Sequence, residues 1–359
     1  MAISPEFRLA VECCHRCFRG AALEREQLAL PDIDWPRFQE LVCFHRIEGL
    51  AWDALKNFDL PGAVRTGLKD AATAITAKNL RTAAQCRVLL ERFGEADIPL
   101  LFLKGLTLAA LAYRNPSLKA AVDIDLLIRP EDLEGATRLL RENGYRLAAP
   151  RNDLTDPQLR SWHRLSKEST WTNPKLGLQV DLHTRITDNT RILPRMGMGS
   201  ARQFVEVAPG IELPTLAPDE LFAYLAVHGA SSTWFRLKWI SDLAAILDNQ
   251  SPMEIARKYD LSQEYGAGRA AGQALLLADE LFGTLDENVT LREELSTDAQ
   301  TLRLLRSAFS MVTGAPVEPT SRRFGTLPIH WTQLLLLPSL KFKLSEITRQ
   351  AATALRSRG

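Results

Sequence analysis

Pro99-Leu-Leu-Phe-Leu-Lys-Gly105 and the later stretch Val122-Asp-Ile-Asp-Leu-Leu-Ile128 decide how this chain is organised. A continuous apolar run that ends at a glycine predicts a strand buried on both faces, followed by a turn into a helix. The second stretch predicts another strand. Alternate strand residues share a face, so Asp123 and Asp125 are expected to point together. Their neighbours are expected to point into the core: Val122, Ile124 and Leu126.

The bulk composition is that of an ordinary globular protein. The chain has 359 residues, of which 46% are hydrophobic and 24% charged, and its net charge is +1. This length fits two domains or one domain with a large extension. Near-neutral charge gives no global attraction to nucleic acid, so a long nucleic acid is not expected as a partner.

The sequence predicts a cytoplasmic protein. No apolar run approaches the roughly 20 residues that a membrane-spanning helix needs. The acidic residues Glu6 and Glu12 interrupt any apolar run near the first residues, so no signal peptide is expected.

Five cysteines of odd count do not predict a disulfide framework. One interpretation is a metal site at the cluster Cys13-Cys14-His15-Arg16-Cys17. Its members, however, fall within about one helical turn, whereas zinc usually takes paired ligands from separated segments. Buried, reduced thiols on a helix are the favoured interpretation.

Hydrophobic periodicity divides the chain into three regions. Residues 1–95 are expected to be helical, with helices over 35–55 and 63–93. Residues 96–215 alternate between strands and helices, and residues 216–359 return to helices. This pattern predicts an α+β fold in which a small mixed sheet is embedded between helical regions. Its predicted strands cover residues 98–103, 121–128, 145–147, 168–172 and 177–185, with helices over 106–113 and 130–143.

The basic, amphipathic stretch at residues 331–359 leaves two interpretations open. It carries apolar residues between basic ones, which is typical of a segment that touches an anionic surface. A closing helix with a frayed basic tail explains the same pattern. The basic residues are Lys341, Lys343, Arg349, Arg356 and Arg358.

The paired carboxylates point to metal chemistry. Asp123 and Asp125 side by side repel each other unless a cation lies between them. Carboxylate oxygens suit Mg²⁺ or Mn²⁺. Asp181 lies on another strand whose opposite face is apolar, and a third carboxylate would complete a two-metal site. A polar strand face that binds no metal is the alternative.

The turn at Lys104-Gly105 is a candidate phosphate site. Glycine lets the backbone approach a ligand closely, and the following helix offers free N–H groups at its first turn. Lys104 adds a charge and Thr107 a hydroxyl. An ordinary turn with a solvent-exposed lysine is the alternative.

Three segments together resemble a family of uncharacterised bacterial nucleotidyltransferases within the polymerase-β-like superfamily. They are Leu103-Lys-Gly105, Asp123-Ile-Asp-Leu-Leu-Ile128 and Val180-Asp-Leu-His183. The resemblance spans roughly residues 30–250 and includes three further segments. These are His45-Arg-Ile-Glu-Gly-Leu50, His228-Gly229 and Arg236-Leu-Lys-Trp-Ile-Ser-Asp242.

The resemblance implies a nucleotidyltransferase core in which Asp123, Asp125 and Asp181 are catalytic and bind two Mg²⁺ or Mn²⁺ ions. It implies transfer of a nucleoside monophosphate from a nucleoside triphosphate, ATP among the candidates, to an acceptor hydroxyl or phosphate, with release of pyrophosphate. The acceptor is not identified: a small molecule, a peptide or protein, and a sugar all stay open. The helices before residue 95 and after residue 215 are expected to form its walls.

The resemblance also implies roles around the carboxylates. The nucleotide-binding residues are expected to be Lys104, Gly105, Thr107 and Lys119. Lys119 stands where the family usually has arginine, and Val122 where it usually has glycine. His183 either supports the metal ligands or is an ordinary polar strand residue. Two other functions remain: glycosyl transfer from a sugar nucleotide on the same scaffold, and a non-catalytic nucleotide-binding accessory role.

Overall fold

A five-stranded mixed sheet lies in the middle of the chain, with helices before and after it, which confirms the α+β prediction. The computed structural model describes residues 3–19, 33–115 and 117–356. The strand order is β1-β2-β5-β4-β3, in which β2 and β5 are parallel and the other neighbours antiparallel. The strands are β1 Leu101–Phe102, β2 Ile124–Leu127, β3 Arg146–Ala149, β4 Glu168–Asn173 and β5 Leu178–His183.

Helices make up most of the rest of the described residues. Those before and within the sheet region are α1 Pro5–Arg19, α2 Trp35–His45, α3 Glu48–Leu55, α4 Gly62–Glu95, α5 Leu106–Tyr113, α6 Leu133–Glu142 and α7 Asp156–His163. Those after it are α8 Pro218–Ser231, α9 Leu237–Leu247, α10 Pro252–Tyr265, α11 Arg269–Phe282, α12 Val289–Leu295, α13 Ala299–Val312, α14 Leu327–Gln333 and α15 Leu340–Arg356. The predicted division at residues 95 and 215 stays a prediction.

Local structure departs from the sequence predictions at three places. The helix expected over 35–55 is two helices, because Arg46 adopts a left-handed conformation (φ 57°) that ends α2. The strand expected over 98–103 forms ladder pairs only in β1. A separate hairpin, β6 Arg202–Ala208 and β7 Ile211–Leu216, was not predicted, and it packs against β1, α4 and α5.

The two faces of the sheet have different environments. One face is apolar and packs with α4 and α6 into a core that contains Ile124, Leu126, Val180 and Leu182. The opposite face carries the carboxylates, and Asp181 is buried there, with only 8% of it accessible. Residues of α8 and α9 line the cavity above this face.

Four further expectations concern Val122, the cysteines, the last helix and membrane-spanning segments. Val122 does not point into the core but is half-buried and lines that same cavity. All five cysteines lie within the described residues and are unpaired. Helix α15 packs through the buried Phe342, while Arg358 lies outside the described residues. No helix in the described part of the chain is both long and apolar enough to cross a membrane.

Candidate active site

Three aspartates converge at the centre of the sheet. The parallel register of β2 and β5 pairs Asp125 with Asp181, so their side chains stand next to each other on one face. Asp123 lies one residue before β2 and joins them. One carboxylate oxygen from each lies within 4.8 Å of the others. Among the described residues, no other three His, Cys, Asp or Glu side chains converge in this way.

The cysteine cluster does not form such a group. Cys13 and Cys14 are buried in α1, and burial raises the pKa of both thiols. The Cys17 thiol donates to the carbonyl oxygen of Leu50 at 3.3 Å. These residues are packing elements of the helical core, as the favoured interpretation predicted.

Asp125 and Asp181 experience opposite electrostatic environments. Burial, then the charges of Asp125 and Asp123, raises the pKa of Asp181 to about 6. Burial also acts to raise the pKa of Asp125, but the Lys104 ammonium and a hydrogen bond from His183 outweigh it. The pKa of Asp125 is therefore held well below its usual range, and Asp181 is the carboxylate without a compensating charge.

Lys104 faces the carboxylates. Its Nζ lies 2.5 Å from Asp125 Oδ2 and 3.6 Å from Asp123 Oδ1. Burial acts to lower the pKa of Lys104, but the two carboxylates raise it well above its usual value. The Lys104 ammonium thus lies between two carboxylates. The carboxylate oxygens at this position therefore already accommodate a positive charge. The predicted role of Lys104 in phosphate binding stays a prediction.

The structure brings two of the other three predicted nucleotide-binding residues to the same cavity. Gly105 begins α5 with φ +74° and ψ −120°, a conformation that residues with a Cβ atom rarely adopt. Lys119 is buried, and its Nζ lies 2.6 Å from Asp242 Oδ2. Thr107 is buried away from the cavity, and its hydroxyl donates to the Lys104 carbonyl at 3.3 Å.

His183 lies behind the carboxylates rather than in the cavity. It is 1% exposed, and its Nε2 is 3.1 Å from Asp125 Oδ1. Glu168 Oε2 lies 3.2 Å from Nδ1, although not in hydrogen-bond geometry. This position suits the predicted supporting role, in which the imidazole fixes the orientation of Asp125.

The carboxylates open into a space of about 210 Å³, here called the acidic cavity. Residues of the sheet edge, the α2–α3 junction, α8 and α9 line it. They are Arg46, Lys104, Gly105, Leu108, Lys119, Ala120, Val122, Asp123, Asp125, Lys167, Glu168, Asp181, Leu225, His228, Lys238, Trp239 and Asp242. Asp123, Asp125 and Asp181 come from the sheet, whereas Arg46 and Lys238, here called the cationic wall, come from the α2–α3 junction and α9.

Two of these cations carry no ion pair. The side chains of Arg46 and Lys238 make no hydrogen bond or salt bridge with the described residues, whereas Lys167 is paired with Glu168 at 3.0 Å. Burial, then the charges of Lys119 and Arg46, lowers the pKa of Lys238 to about 7. A half-buried cation without a partner is costly unless an anion binds beside it.

Sequence reasoning assigned no role to several of these residues. Arg46, His228, Lys238 and Asp242 all fall within segments that carried the family resemblance, so a signal for them existed. Lys167 and Glu168 had none, because they sit where an unassigned polar segment meets β4.

A family model described as "Uncharacterised nucleotidyltransferase" matches residues 31–283 of the chain. The match covers the whole sheet, α8 and α9, and thus every residue that lines the acidic cavity. A comparison with curated proteins gave no match.

Proposed function

We propose that this protein transfers a nucleoside monophosphate from an Mg²⁺-bound nucleoside triphosphate to an acceptor hydroxyl and releases pyrophosphate. The chain belongs to this uncharacterised nucleotidyltransferase family, and its membership supports the proposal. The observation that supports this most is the convergence of Asp123, Asp125 and Asp181 in a cavity that cationic side chains also line. Metal ions and triphosphates need charges of these two signs at close range.

The carboxylates fit a divalent cation. They supply hard oxygen donors, and the raised pKa of Asp181 reflects its burial and then its repulsion from Asp125 and Asp123, both of which a bound cation would offset. Asp123, Asp125 and Asp181 would hold Mg²⁺ or Mn²⁺. When bound, such an ion supplies charge neutralisation at the phosphates and lowers the pKa of an acceptor hydroxyl.

The cationic wall would hold the triphosphate. Arg46 and Lys238 would pair with its non-bridging oxygens, since neither has an ion-pair partner in the part of the chain that the structure describes. The N–H groups that begin α5 after Gly105 would face a phosphate. Lys119 would contribute less, because Asp242 already holds its ammonium. These contacts place the α-phosphorus against the carboxylates, and such positioning is a large part of catalysis.

The reaction conserves charge and atoms in one displacement. The acceptor oxygen attacks the α-phosphorus, a new P–O bond forms, and the bond from the α-phosphorus to the bridging oxygen breaks. Pyrophosphate leaves with that electron pair. The acceptor proton passes to water, and Asp181 contributes as a metal ligand, because a bound cation would lower the pKa that burial raises in its absence.

The substitution Asp123→Asn tests the proposal. Asp123 is half-buried and its ion pair is a long contact with Lys104, so this change is expected to leave the fold intact. Asp125→Ala is a poorer test, because it leaves the buried Lys104 without its main counter-charge and costs about 3–5 kcal/mol. Asp156→Asn, an exposed surface carboxylate, is the matched control.

The assay incubates each protein with Mg²⁺ and each nucleoside triphosphate or uridine diphosphate sugar. It records pyrophosphate release and the mass of the products. Asp123→Asn is expected to lower kcat by about 100-fold or more, the size seen when one electrostatic contact to a transition state is lost. Full activity in Asp123→Asn contradicts the proposal. Consumption of the sugar nucleotide alone indicates glycosyl transfer, and no Mg²⁺-dependent nucleotide binding by calorimetry indicates an accessory protein.

A further inference from the structure

A second cavity of about 290 Å³ adjoins the acidic cavity. Lys167, Glu168 and His228 line both spaces, so the two cavities share a wall. Helix α8 supplies Tyr224 on one side, and α15 closes the other side with Phe342. Its volume is near the lower end of the roughly 300–1,000 Å³ typical of ligand sites, so a small molecule fits it.

Both cations of the second cavity are paired with carboxylates, and one further carboxylate, Asp188, adds a negative charge to its lining. Lys167 pairs with Glu168 at 3.0 Å, and Arg349 pairs with Glu346 in α15. Asp188 accepts a hydrogen bond from the Lys167 backbone N–H at 3.0 Å. No cation among the described residues of this wall is therefore left to bind an anionic ligand, in contrast to the acidic cavity, and Asp188, which has no ion pair there, repels one.

The groups of this cavity that make no hydrogen bond or ion pair with the described residues are neutral. The Tyr224 hydroxyl is buried, and no described residue hydrogen-bonds to it. The His228 ring is flanked by the rings of Tyr224 and Trp239 and makes no hydrogen bond with the described residues. The Ser231 hydroxyl is likewise unbonded. A buried hydroxyl without a partner costs about 1–3 kcal/mol, so a ligand that pairs with it binds favourably.

We propose that the second cavity is the acceptor site and that it takes a neutral, polyhydroxylated molecule of about monosaccharide size. The identification as acceptor rests on the proposed nucleotidyl transfer. Neutral hydroxyls and imidazole match the hydroxyls of such a ligand, and the apolar side chain of Phe342 matches its C–H surface. His228, on the shared wall, would position the ligand hydroxyl that faces the acidic cavity.

Ligand binding in the absence of nucleotide tests the site independently of the reaction. Saturation-transfer NMR on the full chain would compare glucose, galactose, N-acetylglucosamine and myo-inositol with the charged counterparts glucose 6-phosphate and gluconate. At least one neutral probe is expected to bind more tightly than its charged counterparts. Tyr224→Phe, which removes an oxygen that nothing in the described chain bonds, is expected to weaken binding about 3- to 10-fold, the worth of one neutral hydrogen bond.

Ser231→Ala is a second variant with the same expected direction, and Tyr259→Phe, outside both cavities, is the matched control with unchanged binding. Preference for the anionic probes, no binding of any neutral probe, or binding that neither variant weakens overturns the inference. Neutral binding without consumption of any nucleotide supports the site but refutes the proposed function. Nucleotidyl transfer to a peptide, with no binding of any neutral probe, supports the proposed function but refutes the proposed acceptor site.

Discussion

Asp181→Asn is expected to stabilise the metal-free protein at pH 8. The Asp181 carboxyl is 8% exposed and has no ion-pair partner among the described residues. Its pKa is raised from 3.8 to about 6 by burial and by Asp125 and Asp123. At roughly 1.4 kcal/mol per pKa unit, the charged form costs the folded state about 3 kcal/mol. Asparagine removes the charge and keeps an oxygen that can accept the hydrogen bond from Gln179.

The sign of the pH dependence follows from proton binding. Between about pH 4 and 6 the folded protein holds a proton on Asp181 that the unfolded chain has lost. The contribution of this group to the free energy of unfolding therefore falls as pH rises through that window and stays low above it. The difference between Asp181→Asn and the wild type should be small at pH 4 and reach up to about 3 kcal/mol at pH 8.

Denaturant unfolding in a metal chelator at pH 4, 6 and 8 measures this difference. Asp156→Asn, whose carboxylate is exposed, should change stability by no more than about 0.5 kcal/mol at any of the three pH values. Added Mg²⁺ or Mn²⁺ should stabilise the wild type at pH 8 and stabilise Asp181→Asn less. The reasoning is refuted if Asp181→Asn is less stable than the wild type at pH 8 in the chelator.

Two further changes separate substrate binding from fold stability. Lys238→Met should raise the KM for the nucleoside triphosphate about tenfold or more, the worth of a charged hydrogen bond, and steady-state kinetics with unchanged circular dichroism would check it. Gly105→Ala should lower the free energy of unfolding by about 1–3 kcal/mol, because alanine is strained at φ +74°; equal denaturation midpoints for variant and wild type would contradict it.

Local pattern was enough to predict the sheet and the grouping of the carboxylates. Two-residue periodicity placed Asp123 and Asp125 on one face, and the predicted helix over 106–113 has the bounds of α5. The position of α8 and α9 above that face was not predictable, because it depends on tertiary contacts between segments that are distant in sequence. A helical pattern over 35–55 also gives no sign that Arg46 turns left-handed, since tertiary packing overrides a local preference there.

The uncompensated charges of the acidic cavity indicate which ligand it binds. Well-packed apolar residues would often be as stable as buried ion pairs, so buried charges without partners point to a ligand. Within residues 3–19, 33–115 and 117–356, Asp181 is a carboxylate without a paired cation, and Arg46 and Lys238 are cations without a paired anion. A divalent cation would compensate the first and a polyphosphate the other two. The acidic cavity therefore offers a site for a cation beside a site for an anion. A metal-bound nucleoside triphosphate carries both charges.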